Sequence, residues 1–267
     1  MASLPAERKV VLFTAGGVRL ALRLSHVREI VAVAPGEGEV VSRGERVPTA
    51  FVSTVLGLPA GASGFALLTE GAPGIALRVD VIHGIADLAD AEFFQLPART
   101  PLPQPPPFSG AVVVKGEIAL ELSVGSLGFA PLEPAEEVRE PPPDLGIVPD
   151  RELRFARAGR VYGVPLALLV QVLEDPCIAP VPLTPPSHRG LLHHARSLHA
   201  VHDVAALFGD PEAELDPGRL TALPAARTVL LLDAGGAGVG VLADRVLGLA
   251  EGDAEVLRPP WDALFGA

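Results

Sequence analysis

The sequence predicts an all-β chain made of two domains of one fold, with few short helices. Three observations carry this: short apolar runs punctuated by Gly turns, a Pro- and Glu-rich stretch near the middle, and two flanking pieces that repeat one another in order. Val10–Phe13 and Val18–Leu22 flank Ala-Gly-Gly, Ala111–Val114 and Glu117–Leu122 flank Lys115-Gly116, and Val229–Asp233 and Val239–Leu242 flank Ala-Gly-Gly-Ala-Gly. Each reads as a hairpin, because Gly supplies the positive φ of a tight turn. Helical pattern is confined to Val201–Phe208 and Pro260–Phe265. Many short strands at close spacing favour small barrels or sandwiches over an α/β sheet.

The domain boundaries follow from composition. Residues 131–150, PLEPAEEVREPPPDLGIVPD, hold six prolines and a net charge of −5, whereas 1–130 and 151–267 carry −2 and −4. Such a stretch neither forms a helix nor buries itself, and is expected to be a semi-rigid solvated linker between a first domain (8–130) and a second (151–267). The flanking pieces superpose in three blocks. VLFTAGGVRLALRLSHVREIV (11–31) meets LRFARAGRVYGVPLALLVQVL (153–173) at an offset of 142, placing Phe13 on Phe155 and Gly17 on Gly159. PTAFVSTVLG (48–57) meets AVHDVAALFG (200–209) at 152, and GIALRVDVIHGI (74–85) meets GVGVLADRVLGL (238–249) at 164, matching Asp80 to Asp244 and Gly84 to Gly248. The rising offsets put about ten extra residues in one loop of the second copy and about twelve in another.

Composition excludes several function classes. The 267 residues carry a net charge of −11 without a Lys/Arg run, which argues against a nucleic-acid or anionic-membrane surface. One cysteine, Cys177, excludes a disulfide framework and a multi-thiolate metal site. The N-terminus has no apolar stretch of signal-peptide length, and the uncharged Val47–Thr69 segment holds too many Gly and Pro residues for a spanning helix, so a cytoplasmic protein is expected.

The order of short motifs points to a family. In the first copy these are VREI (27–30), Arg43-Gly44, Pro48, Leu56-Gly57 and Val79-Asp80. In the second they are VQVL (170–173), PVPLTPP (180–186), Gly190, Asp203-Val204, Leu207-Phe208-Gly209, Ala243-Asp244 and LRPP (257–260). Their order and spacing, seen twice, resemble the CheW-like chemotaxis coupling-protein domain over about 8–130 and 151–262. The resemblance implies SH3-like β-barrels in each domain, no catalysis and no cofactor. It implies an adaptor docking onto the regulatory domain of a chemosensory histidine kinase and onto the cytoplasmic tip of chemoreceptors, recruited to membrane-associated arrays. Carried over by motif, Val27, Glu29, Arg43, Val79 and Ile82 are the receptor-side candidates, with Val170 and Val246 their apolar counterparts in the second copy. There Gln171 replaces the acid. The second copy also lacks the AVVVKGEIALEL hairpin (111–122), which leaves an edge that a partner or the first domain is expected to pair.

Two other readings compete. His188, His193, His194, His199 and His202 with Asp203 contain imidazoles and a carboxylate suited to zinc or iron, which would make the chain a metal-dependent enzyme, although the spacing matches no standard zinc pattern. A degenerate scaffold of a motility or polarity complex, no longer meeting a kinase, is the other. Asp80 and Asp244 read as turn or cap residues rather than an acid pair, Cys177 as a buried or loop thiol, and DAGGAGVG (233–240) as a hairpin. Trp261 and Phe265 are expected to pack back on the second domain.

Overall fold

The computed structural model describes residues 9–34, 39–70, 74–87, 89, 91–136, 151–209, 228–234, 237–250 and 256–261. Among the described residues, regular structure is almost entirely strand, with two four-residue α-helices. Backbone contacts divide the chain into one unit of residues 1–135 with 181–184, and another of 136–180 with 185–267.

The first unit runs β1 (Lys9–Ala15), β2 (Val18–Arg23), β3 (Val27–Ala32), β4 (Val40–Ser42), β5 (Glu45–Val47), β6 (Thr49–Phe51), α1 (Val52–Val55), β7 (Phe65–Thr69), β8 (Ala76–Val79), β9 (Val81–Asp87), β10 (Glu92–Phe94), β11 (Phe108–Val114) and β12 (Glu117–Leu122). These pair as a six-stranded sheet, β10-β11-β12-β2-β1-β9, a four-stranded sheet, β3-β7-β8-β6, and the β4-β5 hairpin. The second unit runs β13 (Glu152–Arg157), β14 (Arg160–Pro165), β15 (Leu169–Glu174), β16 (Ile178–Ala179), β17 (His188–His194), β18 (Ser197–His202), α2 (Val204–Leu207), β19 (Thr228–Ala234), β20 (Ala237–Ala243) and β21 (Arg245–Ala250). Its sheets are β14-β13-β21 and β15-β19-β20-β18-β17-β16. None of these orders closes on itself among the described residues.

The strand registers reproduce the sequence repeat residue by residue. Phe13 faces Leu20 and Ile82 in the first unit; Phe155 faces Tyr162 and Val246 in the second, at offsets of 142 and 164. The parallel pairing Thr49 to Ala76 becomes Val201 to Gly240, and α1 becomes α2 at the offset of 152. Even the irregularities coincide. β1 shifts register against β9 between Leu12 and Phe13, and β13 against β21 between Arg154 and Phe155. The opposing glycines, Gly84 and Gly248, sit at φ +134° and +111°, a backbone region that side chains rarely adopt.

The two units finish this shared frame differently. In the first, the β11–β12 hairpin continues the sheet, with β12 parallel to β2 through Leu120 and Leu20. In the second, the residue equivalent to Leu20 is Tyr162, and Leu257 bridges to it in the same parallel sense. Gly163 N–H donates to Leu257 O (2.9 Å) and Leu257 N–H to Val161 O (3.0 Å). The expectation that a partner or the first domain pairs this edge is therefore corrected: the chain's own 256–261 segment lies along β14. Arg258 anchors it, donating to both Glu152 carboxylate oxygens (2.9 and 3.1 Å), both residues being buried. Trp261 anchors it again, its indole N–H donating to Gly163 O (2.9 Å) and its ring lying 6.4 Å from that of Phe155. Gly163 is needed for the approach, since a Cβ there would meet the Glu152 carboxylate at 2.5 Å. Trp261 thus packs on its own domain; Phe265 lies outside the described residues.

Two further expectations change. Val201 and His202 belong to β18, and only Val204–Leu207 is helical, because Asp203 caps the helix by accepting from Ala205 N–H (3.1 Å). The start of the expected linker is not a free spacer, for Leu132 N–H donates to Val55 O (2.9 Å). Residues 137–150 lie outside the described residues. Trp261→Ala is expected to destabilise the second unit by about 3–5 kcal/mol, the cost of removing a large buried aromatic, as measured by denaturant unfolding of the full chain. A loss under about 1 kcal/mol would show that the terminal segment does not close this edge.

Candidate functional site

Strand parity decides which of the predicted residues reach the surface. On β3, Val27 and Glu29 are half-buried, and Glu29 accepts from Ser42 Oγ (2.7 Å), tying β3 to β4. Arg43 is exposed at the tip of the β4–β5 turn, where it and Gly44 adopt φ of +53° and +84°. Val79 is corrected outright: it is 0% exposed, a core residue of β8 opposite Phe65, and presents nothing to a partner. Ile82 and Val246 are half-buried, paired with Phe13 and Phe155, and Val246 packs against the core of the second unit. Val170 is 59% exposed in the register shift between β15 and β19.

The outward positions of the same strands carry the apolar surface. Val81 and Ile85 on β9, and Leu247 and Leu249 on β21, near the inward Ile82 and Val246, are exposed, Ile85 at 55% and Leu249 at 59%. Ile30 on β3 and its equivalent Val172 on β15 are exposed as well. All four strands are terminal in their sheets. Each unit therefore presents two edge strands with outward aliphatic residues at matched positions, Ile30 with Val172 and Ile85 with Leu249. Val27, Glu29, Ile82, Val170 and Val246 lie on these four strands, and the period of two along them distinguishes the outward neighbours.

The polar residues of greatest interest are engaged internally. Asp80 accepts from Gly16 N–H (2.7 Å) and Ser63 N–H (3.0 Å); Asp244 accepts from Ala158 N–H (2.9 Å) and from Arg157 (2.6 Å). Both are turn clamps. Asp203, wholly buried, accepts from Arg157 Nε (3.0 Å) and Nη2 and from Arg189 Nε (3.1 Å) and Nη2 (2.6 Å). Burial alone would push its carboxyl upward, but the guanidiniums of Arg157 and then Arg189 outweigh that and hold it below the usual range. The first unit carries Ala15 and Phe51 where the second has Arg157 and Asp203, so this ionic block belongs to one copy.

The histidines do not gather around Asp203 as a metal site would require. His199 Nδ1 is 3.1 Å from Gly238 O, His194 Nε2 is 3.0 Å from Gln171 Oε1, and the His188 and His202 rings pack edge to face at 5.2 Å. Among the described residues no three metal-binding side chains come together. Cys177 is exposed, and no described helix is long and apolar enough to cross a membrane.

Comparison with known proteins bears on the second unit above all. Residues 152–266 match the family model described as the CheW-like domain, the family that the sequence motifs resemble. A comparison with curated proteins finds no match. Among solved structures, the scaffolding protein TtCheW from Thermoanaerobacter tengcongensis is similar at 19% identity over 40% of this chain, with a TM-score of 0.33; the chain spans 65% of that protein's length.

Asp203→Asn is expected to cost about 3–5 kcal/mol, because the buried ion pairs of Arg157 and Arg189 with Asp203 are broken and Arg157 keeps only the more exposed Asp244; urea unfolding at neutral pH measures it. In the unaltered chain the folded carboxyl titrates below the unfolded one. Its contribution is therefore complete above pH of about 4 and is lost as pH falls through the lower folded value.

Proposed function

We propose that this chain, whose second half is similar to the CheW-like domain, is a non-enzymatic adaptor of a chemosensory-type signalling system. It couples receptors to a histidine kinase through protein contacts alone. The observation that carries this reading is the shared register of the two halves, which supports reading the first half as a second copy of the matched module. Further support comes from the exposed aliphatic residues on edge strands, which suit an apolar stripe on a partner helix. Val27, Glu29, Arg43 and Ile82 of the first copy, and Val170 and Val246 of the second, are the proposed contributors beside these aliphatic residues. The partners are the regulatory domain of the cognate kinase and the cytoplasmic tip of the receptors, reached in the cytoplasm at a membrane-associated array. Two weak modules on one chain raise each other's effective concentration at such an array.

Titration of the full chain against the kinase regulatory domain, and separately against a soluble receptor-tip helix pair, tests the reading. Saturable binding to at least one is expected, weakened about tenfold or more by Ile85→Glu or Leu249→Glu, as for a desolvated aliphatic contact. Unchanged folding with no binding to either partner would remove the coupling function. Binding indifferent to both substitutions would displace the surface.

A further inference from the structure

The second unit holds a buried imidazole pair for which an adaptor has no evident use. His188 and His202 face one another directly across the β17–β18 hairpin. Both are buried, their rings are perpendicular with centroids 5.2 Å apart, and neither ring nitrogen of His188 reaches a hydrogen-bond partner. In the first copy the residue equivalent to His202 is Ala50, so the pair, like the ionic block beside it, is peculiar to one half.

The surroundings make a charge at His188 costly. From β18 it faces His202, and Asp203, the residue after His202, is already engaged by the Arg157 and Arg189 guanidiniums and by the α2 cap. Asp244 is committed to Arg157 and to the β13–β14 turn. A proton on His188 would place a charge on a buried ring neither of whose nitrogens reaches a hydrogen-bond partner. Burial first, and then the His202 ring, keep the His188 imidazole neutral well below the ordinary histidine range. The same hairpin end fixes the start of α2, since Asp203 N–H donates to Ser187 O (2.8 Å) and His188 N–H to Pro185 O (3.0 Å).

We propose that the His188–His202 pair is a proton-sensitive latch: neutral, it lets the β17–β18 hairpin stay closed, and acidification opens that hairpin and uncaps α2. The sign follows from linkage. The opened state takes up a proton near the ordinary histidine value and the closed state does not. Closure is thus unaffected by pH above about 6.5 and weakens about tenfold per pH unit below it for each proton taken up.

Amide exchange of the full chain, read residue by residue by NMR between pH 7.5 and 5 and normalised for intrinsic exchange chemistry, tests this. The expected result is faster opening confined to residues 188–208 below about pH 6.5. The His188 ring signals of the folded chain should not titrate over the same range. In His188→Phe that acceleration falls by about tenfold per pH unit, whereas His26→Gln, an exposed histidine of the first unit, leaves it unchanged. Should His188→Phe fail to fold, the two readouts of the unaltered chain decide. A His188 ring titrating near 6.5 without local opening overturns the latch, as does opening spread evenly over the second unit or unchanged by His188→Phe.

Discussion

Everything else in each unit depends on one aspartate at the corner between its two sheets. At Asp80 the chain leaves β8 in one sheet and enters β9 in the other, and its N–H donates to Thr14 O (2.9 Å) while its carboxylate accepts from Gly16 N–H and Ser63 N–H. Asp244 does the same, its N–H donating to Ala156 O (2.8 Å) and its carboxylate accepting from Ala158 N–H. A tight turn leaves backbone donors that no ladder satisfies, and an ionised acceptor at that point supplies the missing partner. Pinning the first hairpin to the corner also sets the register of the following strand. That register decides which residues of β9 and β21 face the core and which face solvent.

With that frame held constant, the two halves diverge in how they finish it. The first extends its sheet by a hairpin and buries Glu121 against Arg23. The second lays a short terminal segment along the same edge and reverses the arrangement, with Arg258 on the segment and Glu152 on the strand beneath. Covering the edge in cis leaves one fewer open strand for unwanted pairing. Neither buried ion pair is a large source of net stability, because desolvation offsets much of the attraction. Each fixes one geometry, since a misplaced segment would strand a buried charge.

The same contrast holds for the interior. Alanine and phenylalanine in the first copy are replaced by an arginine and an aspartate in the second, and the surrounding strands keep their registers. A buried pair of packed imidazoles, one of them without a hydrogen-bond partner, is a poor place for positive charge. This sets the second half apart from a simple duplicate, although its outward aliphatic residues match those of the first.

The sequence by itself determined the all-β class, the twofold repeat, its offsets, the hairpins and the turn role of Asp80 and Asp244. These depend on local turn chemistry and on the order of apolar runs, which survive in a linear reading. Only the tertiary structure decided which face of a strand is outward. Val79 and Val246 looked like surface candidates by motif and turned inward, whereas Ile85 and Leu249, of the same residue class and a few positions away, turned out. It also decided that Leu257, Arg258 and Trp261 close the edge of β14, and that Asp203 serves Arg157 and Arg189 rather than a histidine site. Those contacts join residues 46 and 106 apart in the chain. At such separations burial and charge pairing are set by what the fold brings together, and no local pattern encodes it.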